Sequence, residues 1–300
     1  MMNENEIRTA GVEAKVILAK VKIMEWIKYW KGQVYVSYSG GMDSTVLLDI
    51  ARQVEPGIPG VFCDSGQEYP EIREFVRETE NIEWIRPEKN FRSVLIECGL
   101  PLVSKRVSKQ VRILQEKKPG TEATQILYTT GTNSDGEYSR RSRIPHRWRF
   151  LVDSDIRVSE KCCEHLKKDP FRAYERRTGR MPMIGIRKDE GGERSLQRVE
   201  CNTFSPRYGR SAPLLHWTNE DIWNYVHETG LKYCCLYDRG EHRTGCMFCG
   251  FGAHLEQKYG HNRFERMAKS HPKQWRYFME KLGMKEKFDA VGVRTGTVIE

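Results

Sequence analysis

Six residues, Ser39-Gly40-Gly41-Met42-Asp43-Ser44, constrain the fold of this chain more than any other feature, because they sit between segments of opposite character. Val34 to Ser39 is rich in β-formers and reads as a strand. Beyond the loop, Val46, Leu47, Leu48 and Ile50 give a helix an apolar side. Two glycines allow a tight turn and let an anion approach the backbone. The amides that open the helix then point at that anion, and the Ser39 and Ser44 hydroxyls can add hydrogen bonds. The Gly-Lys-Ser/Thr element of a Walker A loop is missing. An ordinary strand-to-helix turn is the plain alternative, but the complete string at a strand end favours phosphate binding.

The flanking pattern repeats. Residues 11–30 read as a helix, with Val16, Ile17, Ile23, Met24, Ile27 and Trp30 near helical spacing. Ile58 to Cys63 reads as a second buried strand ending at Asp64-Ser65-Gly66, Pro70 opens a helix through Val76, and Ile82 to Ile85 is a third strand. Such alternation predicts an α/β fold, a parallel sheet with helices on both faces. Pro182 to Ile186 reads as a further strand. Thr218 caps a helix through Trp223 and Val226, with Asp221 completing a near capping box. The expected division is an N-terminal helix (1–30), a nucleotide-binding domain (31–230) with a basic insert at about 100–160, and a cysteine-rich region (231–300) that turns helical around 262–282.

Hydrophobic residues make up 38% and charged residues 30%, a globular composition with too much apolar content for disorder. The formal charge of +9 suits polyanionic partners, and equally suits a merely basic surface. No apolar run reaches membrane-spanning length, and Met1 to Thr9 lacks the apolar core of a signal peptide. The expectation is a cytoplasmic protein without a membrane partner. Nine cysteines in a reducing compartment point to metal or redox chemistry in preference to disulfides.

Those cysteines cluster. Cys162-Cys163 is an adjacent pair and Cys246-Met247-Phe248-Cys249 is a C-x-x-C. Thiolates suit zinc or iron–sulfur clusters. Adjacent cysteines diverge, which is awkward for one tetrahedral zinc and natural for different corners of a larger cluster. Two alternatives stand: a compact zinc site from Cys234, Cys235, Cys246 and Cys249, or Cys162 and Cys163 as small core residues. Cys63, Cys98 and Cys201 are isolated.

The loop at 39–44 resembles the pyrophosphate-binding loop of the adenine nucleotide α-hydrolase-like family, which includes ATP pyrophosphatases, tRNA thiolation enzymes and sulfonucleotide (APS/PAPS) reductases. Cys63-Asp64-Ser65-Gly66 is similar to the reductase branch's Asp-Thr-Gly strand end, and Gly185-Ile186-Arg187-Lys188-Asp189-Glu190 with Arg194 to its arginine-containing phosphate or sulfate loop. Cys162-Cys163 followed by Cys246 and Cys249 resembles the [4Fe-4S] set of APS reductases. The resemblance implies nucleotide contacts from Ser37, Ser39, Gly40, Gly41, Asp43, Ser44, Asp64, Ser65 and Gly66. Arg187 and Arg194 would act on the phosphates, and Lys167 would lie between cluster and nucleotide. ATP or APS/PAPS, with Mg²⁺ near Asp43 or Asp64, would be the bound nucleotide. Plain surface charge is the alternative for Arg187, Arg194 and Lys167.

One element of the branch is missing. Its reductases attack sulfur with a cysteine in a Glu-Cys-Gly-like tail, whereas the last cysteine here is Cys249 and Val291 to Glu300 holds none. The segment Arg243 to Cys249, with His254-Leu255-Glu256, looks like reductase-like proteins of phages and mobile elements, cousins of DNA phosphorothioation enzymes. The insert carries Arg140, Arg141, Arg143, Arg147 and Arg149 around Trp148, a pattern suited to phosphate contacts and base stacking, or to a solvated loop. The leading expectation is therefore ATP-dependent adenylation and sulfur transfer to a nucleic acid or nucleotide, with a partner supplying the sulfur. The alternatives are sulfonucleotide reduction with an external thiol from a thioredoxin-like partner, and a non-catalytic binding module with a structural metal.

Overall fold

Strand β1 (Val34–Ser37) buries Val34, Tyr35 and Val36 almost completely. A strand covered on both faces has no polar side, and β1 accordingly lies inside a sheet. The computed structural model describes residues 4–190, 200–206, 208–241 and 244–298. Its main sheet has six strands: β3 (Ile82–Ile85), β2 (Gly60–Cys63), β1, then Met181–Ile184, Arg210–Ser211 and Asn202–Thr203. Every neighbouring pair is parallel except the last, which is antiparallel. The register sets Ser37 beside Val61 on one side and Ile184 on the other, so β1 and Met181–Ile184 end together where the glycine loop begins, while β2 runs two residues further. The fold is α/β, as the alternation predicts.

The chain groups into two compact units. The first comprises Met1–Asp64, Glu68–Pro87 and Asp169–Gly245; the second comprises Ser65–Gln67, Glu88–Lys168 and Cys246–Glu300. The first holds the six-stranded sheet. Helix α1 (Glu4–Thr9) precedes α2 (Val12–Tyr29), and α2 packs on α3 (Met42–Val54) and on the helix Asn219–Thr229. Lys15 fixes that packing. It is 2% exposed, and its Nζ lies 2.6 Å from Asp221 Oδ2. Asp221 is also the third residue of a complete capping box: the Thr218 side chain accepts from the Asp221 amide, and the Asp221 carboxylate accepts from the Thr218 amide at 2.6 Å. One carboxylate thus satisfies a buried ammonium and a helix start.

The second unit joins segments that the sequence suggests are separate, the insert near 100–160 and the chain after Cys246. Within Glu88–Lys168, which contains that insert, lie the helices Phe91–Cys98, Lys105–Glu116 and Glu122–Thr130. Helices Arg263–Ser270 and Pro272–Arg276 lie in the chain after Cys246. The two stretches share aromatic packing. Phe91 stacks on Phe248 at 5.6 Å, Phe248 on Phe278 at 4.6 Å, and Phe264 packs on Phe288 at 4.6 Å, so the rings make one apolar centre. A short parallel pair, Leu102–Val103 with Gly250–Phe251, ties the segments by backbone hydrogen bonds. Residues 231–245 belong to the first unit, so the boundary falls at Cys246 in this grouping and not near 230. Among the described residues no helix is long and apolar enough to cross a membrane.

Candidate functional site

The first unit carries the loop. Gly40 has φ +70°, and a β-carbon there would sit 2.9 Å from Val76 Cγ2, so turn geometry and crowding both call for glycine. Gly41 is the N-cap of α3. The Ser44 hydroxyl donates to Gly41 O at 2.8 Å and accepts from the Ser39 amide at 3.1 Å. The two serine hydroxyls lie 3.0 Å apart, and the Gly41 amide donates to Ser39 Oγ at 3.3 Å. The result is a preformed turn of amides and hydroxyls at a helix N-terminus, with the capacity to bind an anion. Ser37 is half-buried at the end of β1.

Arg187 stands beside this loop with its side chain only 9% exposed. Its Nε donates to Asp43 Oδ1 at 2.9 Å, and its Nη1 donates to both Asp189 oxygens at 2.7 Å. Asp189 Oδ2 also accepts from the Asn219 amide at 2.7 Å. The guanidinium expected to clamp phosphate is therefore held by two carboxylates and joins the loop to the chain after Met181–Ile184. Burial pushes the Asp43 carboxyl up to about 6, against the pull of Arg187. Asp64 is 6% exposed and pairs with Arg73 at 2.9 Å and Arg86 at 3.7 Å. Both carboxylates expected near Mg²⁺ thus carry arginine partners, and as placed they do not suit that ion. Arg194 lies outside the described residues.

Two residues of the segment before Cys246, to which the sequence alone assigns no role at the loop, stand beside it. Tyr237 Oη accepts from the Met42 amide at 2.8 Å and lies 3.1 Å from Thr244 Oγ1. They are about 200 positions downstream, and only the fold reveals the contact.

The second unit carries the cysteines. Cys162 and Cys163 open a helix whose next turn, Glu164–Lys168, is π-helical and includes a half-buried Lys167. The segment before them is held by Leu100 N to Arg157 O and Ser159 N to Leu100 O, both 2.8 Å, and by Arg112 on both oxygens of Glu160. Cys246 and Cys249 close a turn through Cys249 N to Cys246 O at 3.1 Å, and Phe248 anchors it in the aromatic centre. Burial raises the Cys162 thiol well above its ordinary value, and Cys246, Cys163 and Cys249 raise it further. Burial also raises Cys249, with Cys163 adding to it and Arg263 opposing. The four thiols thus share one neighbourhood. Ser65 and Gly66 also fall in this unit: Ser65 is buried and Gly66 has φ +75°. Cys234 and Cys235 belong to the first unit, and burial, with Cys235 and Glu71 adding to it, shifts the Cys234 thiol up.

Trp148 does not offer a face for base stacking. It is 8% exposed, Arg147 covers its ring at 4.3 Å, and His254 meets it edge-on at 5.4 Å. The exposed rings of the arginine segment are Tyr138 and Phe150.

The model of the phosphoadenosine phosphosulfate reductase domain matches residues 33–93 and 124–251 of this chain. The chain belongs to that family. The matched stretches of this family member contain the loop, Arg187 and all four clustered cysteines. It is 30% identical to adenosine 5'-phosphosulfate reductase 1 of Bacillus subtilis over 83% of this chain and 88% of that one. It is 26% identical to adenosine 5'-phosphosulfate reductase of Anoxybacillus flavithermus, over 83% and 86%. Among solved structures, the phosphoadenylyl-sulfate reductase of Candida auris, a phosphate complex, overlaps with a TM-score of 0.45 at 15% identity, covering 82% of this chain and 96% of that one.

Proposed function

We propose that this chain is an enzyme of the sulfonucleotide reductase type that binds adenosine 5'-phosphosulfate at the 39–44 loop. The preformed amide-and-hydroxyl turn carries the reading, supported by family membership and by relatives named as reductases of that compound. A thiolate attacks the sulfur of the bound nucleotide; the S–O bond breaks, AMP leaves with the electron pair, and a thiol S-sulfonate forms. A second thiol attacks the sulfur bearing the sulfonate, releasing sulfite and leaving a disulfide. In this reading an external dithiol protein supplies both thiols. Loop amides and hydroxyls hold the phosphate oxygens and stabilise the departing AMP.

Cys162, Cys163, Cys246 and Cys249 fit a [4Fe-4S] cluster by their chemistry: four thiols, two of them adjacent on one helix and so aimed about 100° apart. Among the described residues no group of three or more His, Cys, Asp or Glu is arranged to hold a metal ion, so the cluster reading rests on the chemistry and spacing of these thiols. When bound, the cluster would tie the turn of Cys246 and Cys249 to the helix that carries Cys162 and Cys163, and with its four thiolates it would carry net negative charge. Lys167, four residues beyond Cys163, would add a cation on the same helix.

The arginine segment favours a second reading, ATP-dependent adenylation with sulfur transfer to a nucleic acid. Arg140, Arg141, Arg143, Arg147 and Arg149 are all exposed, and among the described residues no ion pair involves them.

Calorimetry on anaerobically purified protein with APS, PAPS and Mg-ATP, followed by a thioredoxin-dependent sulfite assay, separates the two. Preference for APS with sulfite release is the expected result. Tight Mg-ATP binding without sulfite release would transfer the assignment to the second reading.

A further inference from the structure

We infer that Tyr237 and Thr244 are direct ligands of the phosphate or sulfate oxygens held by the 39–44 loop, completing the site with neutral hydroxyls. The inference rests on the nucleotide-binding reading of that loop. A β-carbon built on Gly41 would lie 2.9 Å from Thr244 Oγ1, 3.2 Å from Ser39 Oγ and 3.4 Å from Tyr237 Oη. Three hydroxyls, one from the loop and two from a segment about 200 positions on, therefore converge over one glycine, and Ser44 Oγ stands behind Ser39 Oγ at 3.0 Å. Two helix-opening amides, Gly41 and Met42, face the same group: the first donates to Ser39 Oγ and the second to Tyr237 Oη.

The tyrosine ring has little freedom. Trp223 meets it edge-on at 6.0 Å and Tyr233 at 6.2 Å, and the Tyr237 amide donates to Cys234 O at 3.2 Å. Its hydroxyl is thus delivered to a fixed point above α3. Burial raises the phenol's pKa, so it stays a neutral donor at ordinary pH. The Arg187 donors that point at carboxylates, Nε and Nη1, are taken by Asp43 and Asp189. Neutral O–H groups with the loop amides therefore stand where a cationic clamp was expected. An anion oxygen arriving over Gly41 can accept from the Met42 amide, the Tyr237 hydroxyl and the Thr244 hydroxyl together. Each of those bonds is stronger to a charged oxygen than to a neutral hydroxyl. Glycine at 41 keeps the approach open.

The test compares Tyr237→Phe and Thr244→Val with the wild-type chain by calorimetry against APS, Mg-ATP and adenosine, the last having no anionic group. Both substitutions keep side-chain shape, and circular dichroism confirms the fold; Thr244→Val carries the test if the phenylalanine variant fails to fold. Each variant is expected to bind APS and Mg-ATP about ten-fold or more weakly, the range for a lost hydrogen bond to a charged group. Adenosine affinity is expected to hold. Unchanged nucleotide affinity in both variants overturns the inference. So does tighter binding by Tyr237→Phe, which would make the tyrosine a plug on the Met42 amide, and so does a parallel loss of adenosine affinity. Wild-type protein that binds adenosine alone and neither nucleotide overturns the loop reading itself.

Discussion

The two units build their candidate sites in different ways. In the first, most of the anion site is local: Ser39, Gly41 and Ser44 satisfy one another within six residues, and β1 and α3 hold the ends. In the second, the donors come from segments about 80 residues apart, and an aromatic centre pooled from both segments brings them into one neighbourhood. A local site can be preformed by backbone geometry alone. A site assembled from distant pieces depends on the core beneath it and, for thiols raised by burial, on a cation to replace their protons.

Substitutions should separate the two sites cleanly. The largest effect is expected for Cys163→Ser or Cys246→Ser: after anaerobic reconstitution, bound iron and acid-labile sulfide fall to background while nucleotide affinity stays within a few-fold of wild type. Ser39→Ala combined with Gly41→Ala should do the reverse, weakening nucleotide binding about 100-fold, as expected when several charge-assisted bonds are lost, and leaving iron content intact. If either change removes both properties, the sites are not independent.

Arg187→Ala sharpens the comparison on the side of the first unit. It leaves Asp43 and Asp189 without their buried partner, and urea unfolding should show a loss of about 3 kcal/mol, typical of breaking such a pair. A loss confined to nucleotide affinity, with stability unchanged, would restore the simple phosphate clamp.

The smallest effect concerns Asp43. Its carboxyl is raised to about 6, so the native state holds a proton that the unfolded chain releases near the ordinary value of about 4. Stability from this group is full below that range and is lost as pH rises through about 6. Asp43→Asn removes the titration. Relative to wild type it should gain on the order of 1–3 kcal/mol between pH 4 and pH 7.5 in unfolding experiments. A pH-independent difference would show that the carboxyl titrates normally.

Much of the first unit was legible. The strands at 34–37, 60–63 and 82–85, the helix from Pro70 and the cap at Thr218 all follow from local signals: β-branched runs, a proline at a helix start, and a Thr-x-x-Asp spacing. The helices between 91 and 130 were not, because their surfaces are polar and basic: Glu122–Thr130 buries no residue, Lys105–Glu116 packs on the turn at His146–Val152, and Phe91 meets rings supplied after residue 246. The Arg187 residue was visible as a charge after a strand, but not its capture by Asp43 and Asp189. Trp148 looked available among arginines and is covered by one of them.

By itself the sequence determined the parallel sheet, the glycine turn and the pairing of a Cys-Cys with a C-x-x-C, because backbone propensity and residue type act over a few positions. Only the tertiary structure decided what fills the space over Gly41 and what neutralises Arg187. Tyr237, Thr244 and Asp43 meet those partners across about 140 to 200 positions, and such contacts are set by how strands and helices pack, which no local spacing encodes.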